Sequence, residues 1–243
     1  MARYVGLSVL HPGGFSATDE LTGHCKISRT AEVVDIACGK GTTSIRLAKK
    51  IGCHVIGIDI SEDLIAEAKW LAEKARVNDL VTFQVGDALN LPFPDRRYDA
   101  AISQAMLVLV GDQEKAIQEA LRVIKPGGSA GWIELSWRQE PTREFIDEIS
   151  SVICAACMLN VHTYGDWEGL FKRAGAEDLK TIKHSLKFSG PGGMIRNEGI
   201  FNSLKVMSKY VRNRRVRTRM KTLGRFFDAH SDIVGYGIYI VKK

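Results

Sequence analysis

Five short apolar runs punctuate the first 137 residues: EVVDIA (32–37), HVIGIDI (54–60), VTFQVGDA (81–88), YDAAISQ (98–104) and GSAGWIELSW (128–137). Each is brief, rich in β-branched residues and bounded by Gly, Pro or Asp, the pattern of buried strands. Helical spacing fills the gaps between them. TTSIRLAKKIG closes on Gly52 as a C-cap, SEDLIAEAKWLAEKARV opens on Ser61 as an N-cap with acids in its first turn, and DQEKAIQEALRVIKPGG runs to Lys-Pro-Gly-Gly. Strands and helices alternating at this pace predict an α/β fold, a doubly wound parallel sheet with helices on both faces and right-handed crossovers.

Beyond Trp137 the rhythm changes. A helical stretch from about Thr142 to Ala174 leads into LKTIKHSLKF (179–188), a SGPGG turn, a long basic segment and finally GYGIYIVKK (235–243). The first and last of these apolar runs read as strands. The basic segment carries apolar residues at 200, 204, 207 and 211, then at 216, 220, 223 and 227, which predicts one or two amphipathic helices inserted between the last two strands. Its apolar side is expected to cover a pocket, with the basic side in solvent.

Length and charge narrow the classes. The 243 residues suit one domain with a full core, and no run approaches the roughly 20 apolar residues that span a bilayer. The first residues lack a long apolar signal region, so a cytoplasmic protein without a membrane span is the expectation. Five cysteines outside a secretory context argue for reduced thiols instead of a disulfide framework. The net charge of +6 is local: Lys205 to Arg225 holds nine Lys or Arg and no Asp or Glu, and without that stretch the chain stands at −3. Phosphates of RNA, an anionic membrane surface and an acidic substrate are the partners such a stretch admits.

Candidate chemistry begins at VVDIACGKGTTS, Val33 to Ser44. A strand, a glycine turn and a helix start form a nucleotide-type site, because glycines let the backbone approach a ligand and the helix offers free N–H groups. A dinucleotide fingerprint would need Gly or Ala at 44, where Ser44 stands. Asp35, inside the apolar run, suits a ligand with a free ammonium, such as S-adenosylmethionine; the alternative is a buried acid that caps the loop's own N–H groups. Asp59 closes the second run, where a carboxylate can accept two ribose hydroxyls, and Asp87 follows the third, where it can accept an adenine amine. Three acids at the carboxyl ends of three successive strands lie where open α/β sheets bind ligands. They also argue against a nicotinamide-dependent oxidoreductase.

With those residues in view, the chain resembles the class I S-adenosylmethionine-dependent methyltransferases over about residues 30–137. VVDIACGKG is similar to the family's first motif, VIGIDIS to its second, VGDALNLPFPDRRYDAAISQ to its third and fourth, and ALRVIKPGGSAGWIE to its fifth. The resemblance implies a Rossmann-like sheet of seven strands in the order 3-2-1-4-5-7-6 with the last strand antiparallel. It implies that Asp35, Ala37, Gly39 and Gly41 line the methionine end of the cofactor, Asp59 the ribose, Ile60 the adenine face, Asp87 and Ala88 the adenine edge, and Gln104 the strand-four end near the methionine. The branch it most resembles contains ubiquinone, menaquinone, sterol, phospholipid and arsenite methyltransferases, which implies a small-molecule acceptor. The domain plan is then one unit over 1–243, with a cover segment at 1–30, a cofactor core at 31–137 and an inserted helical lid at 190–228.

Methyl transfer from a sulfonium asks the protein mainly to position a nucleophile and exclude water, with a base where a proton must leave. His11 in the HPGG stretch is the first candidate for a base or substrate ligand, followed by Tyr4 and Tyr164, with His162 and Glu134 behind them. Cys154 and Cys157 (CAAC) share a helix face and read as small packing residues, the alternative being a thiol site for a soft metal or arsenite; no resident metal is expected. Two other functions fit the same residues: an RNA methyltransferase using the basic 205–225 helices, and a non-catalytic regulator that binds S-adenosylmethionine.

Overall fold

The computed structural model describes residues 11–152, 160–186 and 200–243. Tyr4, Cys154, Cys157 and the SGPGG stretch (189–193) lie outside the described residues. A helix α1 (Gly14–His24) precedes β1 (Glu32–Ile36), α2 (Thr42–Lys50), β2 (His54–Asp59), α3 (Glu62–Ala75), β3 (Val81–Val85) and β4 (Tyr98–Gln104). A 3₁₀ turn (Leu107–Leu109) and α4 (Gln113–Val123) lead to β5 (Ile124–Trp137) and α5 (Arg143–Val152). After β6 (His162–Thr163) come α6 (Tyr164–Arg173), β7 (Asp178–Ser185), α7 (Ile200–Arg212), α8 (Arg214–Ala229) and β8 (Val234–Lys242).

The sheet order is β3-β2-β1-β4-β5-β8-β7, with β6 paired to β5. β1 to β5 are parallel to one another and β8 is antiparallel to both its neighbours. This is the expected order plus one two-residue strand. β4 ends at Gln104 opposite Ile133, and β6 takes up the freed edge of β5 at Ser136 and Trp137. The continuous helix expected from Thr142 to Ala174 is therefore interrupted, and Thr163 restarts it by accepting from Asp166 N–H.

Local signals account for most boundaries. Ser61 Oγ accepts from Leu64 N–H at the start of α3, Asp112 caps α4, and Gly52, with φ +81, follows the end of α2. Two boundaries move. β3 stops at Val85 because Asp87 Oδ1 accepts from Leu89 N–H at 2.9 Å and folds the chain into a turn. α4 stops at Val123, since Arg97 N–H takes the Val123 carbonyl and Ile124 already pairs with Tyr98, so the IKPGG residues belong to β5.

The core has two main layers, one on each side of the sheet. Trp132, Trp167, Phe171, Ile117 and Tyr239 pack on the α4 and α6 face. Leu21, Leu47, Val55, Ile65, Phe83 and Ile238 pack on the α1, α2 and α3 face. At ~1.5–3 kcal/mol for each fully buried large side chain, these layers anchor every strand that reaches the site. α1 belongs to the core: a Cβ on Gly131 would stand 2.4 Å from Leu21 Cδ1, so the helix seats directly on β5 at a glycine.

Candidate functional site

The order of the strands reverses between β1 and β4, and open α/β sheets hold their ligands in a cleft at the carboxyl ends of the strands beside such a reversal. Both strands leave the sheet through a non-glycine residue in the left-handed region, Ala37 (φ +58) and Ala105 (φ +57). Such backbone costs roughly 1–3 kcal/mol and persists only where neighbours hold it. Cys38 N–H donates to Ile58 O at 2.9 Å and Ala105 N–H to Ile133 O at 2.8 Å, which holds each turn to the adjacent strand.

The glycine turn sits between them. Gly41, at φ +73, caps α2, and a Cβ there would meet the Phe83 ring at 2.4 Å. Gly39, at φ +54, has open space where its Cβ would be, so a ligand can approach that backbone closely. Asp35 is 2% exposed and accepts from Ser44 Oγ at 2.6 Å. Its carboxyl is pushed up to about 7 because burial disfavours the charge more than the Ser44 bonds favour it. Asp35 thereby ties β1 to the first turn of α2.

Asp59 Oδ2 accepts from Gly39 N–H at 2.8 Å and Oδ1 from Ser61 N–H at 2.9 Å, so one carboxylate shapes both the glycine turn and the start of α3. Ile60 beside it is 73% exposed and Val85, at the end of β3, is 45% exposed. Two aliphatic side chains left in solvent at adjacent strand ends form an apolar wall suited to a flat ring. Asp87 is exposed and Ala88 half-buried on the same rim. Val85 escaped the sequence reading, and its signal is only that an apolar strand residue precedes GDA.

Gln104 ends β4 and joins two segments far from it in sequence. Thr18 Oγ1 donates to Gln104 Oε1 at 2.9 Å, and Gln104 Nε2 donates to Thr43 Oγ1 at 3.3 Å. Thr18 Oγ1 also lies 3.1 Å from His11 Nε2, and His11 Nδ1 lies 3.1 Å from the Pro12 carbonyl oxygen. Burial lowers His11 to about 4, so it is neutral at pH 7. Asp19 holds the same helix to α2 through Arg46 (2.8 Å) and Lys50 (2.8 Å). The N-terminal segment is thereby bonded to the cofactor end of the sheet by Thr18 and Thr43 and to the body of α2 by Asp19, none of which the sequence singled out.

The other candidate side chains have different work. Glu134 is fully buried, its Oε1 accepts from Met106 N–H (3.0 Å) and Leu107 N–H (2.9 Å), and burial pushes it up to about 8. It fixes the loop that follows β4. Tyr164 does not join the cleft: its hydroxyl donates to His184 O at 2.9 Å and it packs at the β7–β8 edge. His162 lines a cavity of about 260 Å³ with Trp137, Glu140 and Asp166, bonded to Gln113 Oε1 at 2.7 Å and lowered by burial.

Against known proteins, residues 33–128 match the family model described as a methyltransferase domain. An uncharacterized protein of Haemophilus influenzae is 31% identical over 230 residues, 94% of this chain and 89% of that one. The 27-O-demethylrifamycin SV methyltransferase of Amycolatopsis mediterranei is 38% identical over 111 residues, 46% of this chain and 41% of that enzyme. Among solved structures, the Haemonchus contortus phosphoethanolamine N-methyltransferase 2 in complex with phosphomonomethylethanolamine and S-adenosylhomocysteine superposes with a TM-score of 0.80. At 18% identity it covers all of this chain and 56% of that one. The chain thus spans about half the length of these named enzymes. The open Gly39 backbone, the exposed Ile60 and Val85 wall and the acids beside them suit an adenosine with a charged amino-acid tail. The chain belongs to the class I S-adenosylmethionine-dependent methyltransferases, and S-adenosylmethionine is its cofactor.

Proposed function

We propose that the protein methylates a small organic acceptor, held at the loop after β4, and that its own residues contribute by positioning and by exclusion of water. The cofactor supplies the activated methyl group on its sulfonium. Asp59 takes the ribose hydroxyls with the lone pairs that Gly39 and Ser61 leave free, Ile60 and Val85 sandwich the adenine, and Asp87 and Ala88 meet its edge. Gly39 and Gly41 let the methionine end approach the backbone, with Ala37, Asp35 and Gln104 around it.

The observation that carries this reading is the hydrogen-bonded run His11, Thr18, Gln104, Thr43, which ties the N-terminal segment to the end of β4 beside the glycine turn. In this reading His11 acts as a positioning residue. Burial lowers its proton affinity and its Nε2 already lies at Thr18, so it orders the wall of the cleft and is a poor proton acceptor. Glu134 does the same for the acceptor side by fixing the Met106 and Leu107 backbone. Positioning of this kind is worth several kcal/mol of barrier when it holds the nucleophile in line.

The small-molecule acceptor rests on the relatives that carry names, of which the rifamycin enzyme is one. Parallel calorimetric titrations with S-adenosylmethionine, S-adenosylhomocysteine and NAD test the donor half. Release of S-adenosylhomocysteine in the presence of a panel of phenols, amines and quinols tests the other. Binding of NAD in preference to the sulfur nucleosides would overturn the assignment of the cleft.

A further inference from the structure

The inserted pair α7 and α8 was expected to bury one apolar stripe over a pocket, and α7 does the opposite. Its packed face is Ser203, Val206 and Tyr210, which meets Val216 and Met220 of α8 in a small cluster apart from the main core. Leu204, Met207 and Val211 are left 63%, 36% and 64% exposed. They fall at i, i+3 and i+7, a single stripe along the outer side of the helix.

Charge surrounds that stripe. Lys205, Lys209 and Arg212 flank it on α7, and Arg214, Arg217, Lys221 and Arg225 continue the basic surface along α8. No acidic residue occurs between Lys205 and Arg225. A helix with an apolar stripe bordered by Lys and Arg stems lies flat on an anionic lipid surface, with the apolar side chains among the acyl chains and the cations at the headgroups.

The place of the hairpin in the fold agrees. Ser185, the last residue of β7, pairs with Gly235, which also pairs with Ser136 near the end of β5. The insertion therefore leaves the sheet at its carboxyl rim, the rim that carries the cofactor cleft. Phe226 of α8 stacks on Phe145 of α5 with centroids 5.9 Å apart, and both join the cluster around Trp137 at the end of β5. The base of the hairpin is fixed there and α7 is presented outward.

We propose that the outer face of α7 and the basic side of α8 form a docking surface for an anionic bilayer, which sets the cofactor rim against the membrane. Two other occupants fit less well. Single-stranded RNA is held by exposed aromatic platforms, yet Phe226 is buried and Tyr210 and Phe227 are half-buried. A second copy would bring two basic faces together.

The test is sedimentation of the full chain with vesicles of phosphatidylcholine alone and of equal parts phosphatidylcholine and phosphatidylglycerol, with neither cofactor nor acceptor present. The outcome is thus independent of the methyl-transfer reading. Binding to the anionic vesicles should exceed that to neutral ones by at least ~tenfold and weaken as salt rises. L204S/V211S, which leaves the charge intact and alters only exposed positions, should lose about tenfold or more of that binding. Its thermal midpoint should match the wild type, which shows that the fold is kept. Failure of the folded wild type to sediment with anionic vesicles overturns the proposal. So does binding that L204S/V211S leaves unchanged, or that a single-stranded RNA competes away with higher affinity than the vesicles.

Discussion

Asp35 offers a prediction that reaches from burial to ligand binding. In the cofactor-free protein its carboxyl sits at about 7, where an ordinary aspartic acid sits at 3.8. At ~1.4 kcal/mol for each tenfold in proton affinity, that difference is on the order of 4 kcal/mol favouring the protonated form. The sign follows from linkage. A group raised on folding contributes stability that is full below its unfolded value and is lost as pH rises through its folded value, here between about pH 4 and pH 7. A cationic ligand set beside Asp35 reverses the balance and draws the proton off. At pH 6.5, where Asp35 is partly protonated, binding of S-adenosylmethionine should release a fraction of a proton, and the affinity should climb as pH rises toward 7. Calorimetry in buffers of different ionisation enthalpy measures that release directly, at a pH below the ordinary α-amino range of the ligand. Asp35→Asn should release none and bind more weakly, yet unfold at a higher temperature than the wild type at pH 8. Buffer-independent heats in the wild type, with a flat affinity from pH 6 to 7.5, would refute a cation beside this carboxyl.

Three further perturbations address neighbouring residues. Asp59→Ala should weaken cofactor binding by about 1–3 kcal/mol, through lost charge-assisted bonds to the ligand and a loosened Gly39 turn, and unchanged affinity in a folded protein would remove Asp59 from the site. Gly41→Ala forces a Cβ to 2.4 Å from the Phe83 ring at a φ of +73, so chemical denaturation should show a loss of about 2–4 kcal/mol; a loss below about 0.5 kcal/mol would mean that the turn rearranges freely. His11, lowered to about 4, carries the opposite sign to Asp35: its contribution is present above its ordinary value of 6.5 and is lost as pH falls toward 4. His11→Gln should flatten that acid limb of the stability profile, while the wild-type rate profile should show no titration near 6.5 from this residue.

Legibility in the sequence tracked the range of the interaction. The glycine turn, the Asp35 bond to Ser44 and the Ser61 cap are each made within one strand-turn-helix unit, so a few adjacent residues declare them. Thr18 and Gln104 are 86 positions apart, and the Glu134 bonds to Met106 and Leu107 close over 28 and 27. Nothing local distinguishes a threonine that will meet Gln104 from one that faces water. The same holds for the strand boundaries: β3 and α4 end where a turn and a distant strand compete for their backbone, a contest that hydrophobic period does not register.

The inserted helices show the limit from the other side. Periodicity identified both, and in α8 it selected Val216, Met220 and Leu223, which are buried. In α7 the same rule selected 204, 207 and 211, and the helix instead buries Ser203 and Val206 with Tyr210 half-buried. A helical pattern identifies an apolar stripe, whereas packing depends on what stands opposite. Val216 and Met220 are the α8 side chains that cluster with α7, and it is the Val206 and Tyr210 side of α7 that lies against them. The more apolar stripe is then left outside with Lys205, Lys209 and Arg212 along its borders, an arrangement that water alone does not reward. That cost is why the exposed side of α7, more than its positive charge, argues for a surface this protein meets when it works.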